Sequence, residues 1–145
     1  MFLPPTTKGG QILTLEMLRH LLRRHEVHFV ALDSTNNPEG IERSSEYCSR
    51  AYPVKHTVPS QKSPAFLAQF LKNAFSPVPL AVQRFASPAM GRLVADLAAH
   101  EGFDHIVCDF LAAAPNEPWL DRAVLFQHNV ETLSLLHICR CRRAI

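Results

Sequence analysis

The sequence predicts an α/β fold: a Rossmann-like three-layer domain on a parallel sheet, with the first strand largely missing. Three observations lead there. Segments with apolar residues at helical spacing alternate with short apolar runs. Those runs show no polar alternation, as expected of parallel strands covered on both faces. A glycine pair, Gly9-Gly10, opens the first helix, where such a domain turns from strand to helix. Only Met1-Phe2-Leu3, followed at once by Pro4 and Pro5, stands ahead of it to supply a strand.

The first helix carries Ile12, Leu15, Leu18 and Leu22 at helical spacing, with Leu21 widening the stripe. Arg19, His20, Arg23, Arg24 and His25 gather toward its end, where cations suit the helix dipole. Val27 to Leu32 reads as a buried strand, and Asp33 to Gly40 as turn chemistry. Ile41 to Arg50 is expected to form a short helix, and Tyr52 to Val58 a second strand. Ser63 and Pro64 cap and open a helix to about Phe75, which Pro77 and Pro79 stop. Ser87-Pro88 repeats that signal. Met90, Leu93, Val94, Leu97 and Ala98 form the stripe of the helix it opens, and Gly102 ends it. Ile106, Val107 and Cys108 lie in a strand closed by Asp109. Ala123 to Phe126 forms another, and a helix follows over His128 to Leu136.

With 145 residues, 47% of them hydrophobic, the chain suits one compact domain. A net charge of +2 gives no support for nucleic acid as a partner. There is no secretory signal pattern and no apolar run near the ~20 residues a membrane span needs. The expected setting is cytoplasmic and reduced, without disulfides, and Cys108 is expected to be a small buried hydrophobe. The histidines His20, His25, His28, His56, His100 and His105 show no metal-ligand spacing and read as surface or core polar residues. His137-Ile138-Cys139-Arg140-Cys141 lacks the second ligand pair that a structural zinc site needs, so no metal is expected. No cofactor is expected either: no complete dinucleotide fingerprint and no P-loop is present.

Two phrases carry a resemblance. One is Gly9-Gly10-Gln11, an apolar helix, then Arg23-Arg24-His25-Glu26-Val27 entering a strand. The other is Val107-Cys108-Asp109-Phe110, followed by Val124-Leu125-Phe126-Gln127-His128-Asn129-Val130-Glu131. In this order they resemble the subfamily-4-like N-terminal domain of bacterial GT-B glycosyltransferases, over roughly residues 3–133. The resemblance implies a transferase moving a sugar from a nucleotide-sugar donor to an acceptor hydroxyl, with retention and without a metal. It implies that His128 hydrogen-bonds the transferred sugar, and that the Gly9-Gly10 loop faces donor diphosphate and acceptor across an interdomain cleft. Partners would be the nucleotide-sugar and a glycan or lipid-linked acceptor, with peripheral membrane contact open. Residues 1–132 would form an incomplete acceptor-side domain and 133–145 a divergent basic tail. The expectation is a fragment that catalyses nothing alone.

The residues leave other readings open. Asp109 either faces the cleft or serves as a turn residue. Asn129 either binds ligand or caps the next helix, and Glu131 either orients His128 or favours the helix start. The alternative to a transferase half is a stand-alone flavodoxin-like binding or regulatory domain, with Asp33 and Asp109 as its strand-end acids, or a non-functional gene remnant.

Overall fold

The computed structural model describes residues 2–3, 6, 9–33, 37–57, 63–64, 71, 79–119 and 121–127. The fold is mixed α/β. Helix α1 spans Gly9–Leu22, strand β1 His28–Asp33, helix α2 Pro38–Glu42 and strand β2 Arg50–Lys55. Helix α3 spans Leu80–Gln83, helix α4 Pro88–His100, strand β3 Val107–Asp109 and strand β4 Val124–Phe126. Two 3₁₀ segments, Arg43–Glu46 and Leu111–Asn116, complete the described elements. The expected helix to Phe75 and the one over His128 to Leu136 lie largely or wholly outside the described residues.

Both strand pairs are parallel. β1 pairs with β2 from His28↔Arg50 to Asp33↔Lys55, and β3 pairs with β4 from Val107↔Val124 to Asp109↔Phe126. Among the described residues these are two separate two-stranded sheets, where a single sheet was expected. The covering of both faces also fails in part: Val107, Val124 and Leu125 are 45–57% exposed. Phe2 and Leu3 form no strand, yet they are among the most buried residues of the chain.

The core explains their burial. Phe2, Leu3, Leu15, Leu18, Ala31, Tyr47 and Cys48 pack as one cluster. The ring of Phe29 stands edge-on to those of Phe2 and Tyr47, each with centroids 5.6 Å apart. The Tyr47 hydroxyl donates to the Gly40 carbonyl at 2.9 Å and accepts from the Leu3 amide at 3.4 Å. Asn37 donates to the Phe2 carbonyl at 3.3 Å. These bonds answer backbone groups that a strand ladder would otherwise satisfy. Burial pushes the Tyr47 phenol up to about 12 and the Cys48 thiol up to about 11.

The α1 stripe differs from the expected one. Thr14, Leu15 and Leu18 are buried, whereas Ile12 is 50% exposed. Helix α2 begins inside the expected turn: Asn37 accepts from the Gly40 amide at 3.1 Å, and Pro38 takes the first helical position. That pairing is a helix start as much as a turn signal. β2 starts two residues before the expected Tyr52. Ser87 caps α4 as expected, and Gly102, at φ 62°, follows its end. On the surface, Arg43 and then Arg19 hold the Glu46 carboxyl below its usual range, and Arg19 joins α1 to the 3₁₀ segment at 2.8 Å. Such exposed pairs contribute little to stability.

Candidate functional site

The glycine pair and the end of β3 meet. Gly10 lies against Phe110, so closely that a Cβ there would stand 2.9 Å from the ring's Cζ; Gly9 faces open space. The absent side chain at Gly10 therefore admits an aromatic ring of the chain itself. Phe110 adopts φ 67°, ψ 147°, a conformation that a residue with a Cβ rarely takes. Its amide bonds the Phe126 carbonyl at 3.0 Å, and its ring reaches back over the start of α1. Strand end, strained residue and helix start are thereby held as one unit.

A polar tie reinforces that unit. The Thr14 hydroxyl has two acceptors in reach, Asp109 Oδ2 at 2.9 Å and the Gly10 carbonyl at 3.0 Å. Thr14 is 4% exposed, so the bond to the carboxylate is shielded from water. Asp109 thus acts between α1 and β3. The sequence reading missed Thr14. The available signal was a threonine inside an apolar helical stripe, one turn before Leu18 and one turn after Gly10.

β4 runs beside β3 in the same direction, and Phe126 is level with Asp109. Gln127 is exposed just past that strand end. His128, Asn129 and Glu131 lie outside the described residues. Gly10 and Asp109 are thus brought together at the carboxyl end of parallel strands, where α/β folds place their ligands. The other strand-end acid, Asp33, accepts from the Asn37 amide at 3.3 Å and serves the turn after β1.

Asn116 is a second residue missed from the sequence. It is 3% exposed, accepts from the Ser87 amide at 2.6 Å and donates to the Phe85 carbonyl at 2.9 Å. It ties the 3₁₀ segment after β3 to the start of α4. His28 is also held inside, between Glu26, Tyr52 and the edge-on ring of Phe103. Cys48 and Cys108 are free and buried. Among the described residues no three His, Cys, Asp or Glu side chains gather as a metal site, and no helix is long and apolar enough to cross a membrane. Comparison with known proteins adds no relative: no family model matches the chain, and neither a curated protein nor a solved structure matches it.

Proposed function

We propose that this chain is the acceptor-side, Rossmann-like domain of a GT-B sugar transferase, one wall of a cleft between two domains. The observation that carries the reading is the meeting of Gly10, Thr14 and Asp109 at the carboxyl end of β3, beside the strand that leads to His128. In this reading the two parallel pairs are parts of one sheet of order β2-β1-β3-β4, and the buried Phe2-Leu3 stands for the strand between β1 and β3. In this reading the first turn of α1 faces the donor diphosphate, which helix amides attract. His128 hydrogen-bonds the transferred sugar. Imidazole suits that role because it donates or accepts near neutral pH.

One domain can neither position donor against acceptor nor exclude water from the reaction. The purified chain should therefore bind diphosphate weakly and turn over no nucleotide-sugar. Amide chemical shifts of the labelled chain, titrated with inorganic diphosphate, should move at Gly9, Gly10 and Gln11. Unmoved shifts at millimolar diphosphate would refute the reading, as would release of nucleotide from a UDP-sugar or GDP-sugar by the chain alone.

A further inference from the structure

A second recess opens at the other end of β3. It holds about 360 Å³ and lies beside the end of α4, between Phe103 and Trp119. Ile106, just before β3, and Ala98 of α4 line it too, together with the charged Asp104 and Arg122. Three residues of strand, at about 3.3 Å each, separate Ile106 from Asp109, so the recess is about 10 Å along the strand from the site above. It plays no part in the proposed sugar transfer.

Both aromatic walls stand on held segments. Phe103 packs edge-on against the buried His28 ring, with centroids 4.9 Å apart. The Trp119 carbonyl accepts from the amides of Arg122 and Ala123 at 2.9 and 3.1 Å, which locks the turn into β4. The Asp104 carboxylate and the Arg122 guanidinium are exposed at its rim and pair neither with each other nor, among the described residues, with any other group. The Trp119 indole N–H likewise donates to none of them. A carboxylate and a guanidinium lining one recess suit a molecule that carries both opposite charges. Arg presents a planar fork matched to a carboxylate. The aromatic and aliphatic walls suit an apolar body. The volume is at the small end of the 300–1,000 Å³ usual for ligand pockets, roughly right for a single small metabolite.

The geometry points to a binding site for a free α-amino acid with an aromatic or large aliphatic side chain. Its carboxylate meets Arg122, its ammonium group meets Asp104, and its side chain lies between Phe103 and Trp119 over Ile106.

Trp119 is the single tryptophan of the chain, so its fluorescence reads this recess directly. Titration of the full chain with L-phenylalanine and with L-leucine should change that emission saturably, with matching heat in calorimetry. Phenethylamine and 3-phenylpropionate each lack one of the two charges and should bind about ten-fold more weakly or worse. Asp104→Asn and Arg122→Gln alter exposed side chains and should leave the circular-dichroism melt in place while weakening phenylalanine by about the same factor. Three results would overturn the assignment: no emission change and no heat up to millimolar amino acid; equal binding of a singly charged analogue or of uridine; or unchanged affinity in both variants.

Discussion

Replacing Thr14 by valine removes one hydroxyl and almost no volume, so it isolates the tie between α1 and β3. Thr14 is 4% exposed and its Oγ1 sits 2.9 Å from Asp109 Oδ2. A hydrogen bond to a charged acceptor contributes about 1.5–3 kcal/mol, and valine fills the space left behind, so Thr14→Val should lose about that much. For a chain of this size that is a fall of about 4–10 °C in Tm. Urea unfolding of Thr14→Val, Asp109→Ala and the double variant closes a thermodynamic cycle. The cycle cancels whatever else each residue does alone. A coupling of about 1 kcal/mol or more is expected; a value below about 0.5 kcal/mol, the usual scatter of independent sites, would refute the tie as the link between helix and strand.

Two further outcomes are expected. Gly10→Ala must displace the Phe110 ring and should cost about 1–3 kcal/mol, while Gly9→Ala meets open space and should be neutral or gain up to about 1 kcal/mol; paired urea melts compare them, and equal effects would contradict the packing. Burial pushes the Tyr47 phenol up to about 12 from its ordinary 10.0, so below pH 10 its contribution is complete and between pH 10 and 12 it is lost, by about 3 kcal/mol in all. Cys48, at about 11 against 9.0, adds a loss of the same sign from pH 9 to 11. Tyr47→Phe should lower stability at neutral pH, because the buried Gly40 carbonyl loses its donor, and should shrink the alkaline loss to the cysteine's window. Unfolding free energies from pH 7 to 12 measure both.

The parts of this fold legible in the sequence were those written locally. The stripe of α4 with Ser87-Pro88 before it and Gly102 after it states a helix completely, since cap, first-turn proline and left-handed glycine are each local devices. The short β3 and β4 followed from unbroken apolar runs. Pairing between strands is not local, so the division into two sheets among the described residues could not be read. Asn37-Pro38-Glu39-Gly40 was ambiguous, because the residues that make a turn are those that start a helix. At the candidate site, Gly10 and Asp109 were visible as a glycine at a helix start and an acid at a strand end. Phe110 was not, since nothing about phenylalanine announces a positive φ; tertiary packing imposes it. Thr14 and Asn116 escaped notice because each is one polar residue among apolar neighbours, and its partners are distant in sequence.

The division of the strands has a consequence for solubility. Among the described residues, two ribbons of two strands leave four strands with an outer side, where one four-stranded sheet would leave two. Every such side is a row of amides and carbonyls that can recruit another chain. β2 carries Pro53, which has no amide to offer, and ends on Lys55 opposite Asp33. β3 and β4 are only three residues each, about 10 Å, too short to template a long intermolecular ladder. Among the described residues their brevity is what limits such pairing, and Val107, Val124 and Leu125 leave apolar surface open to water beside those short edges.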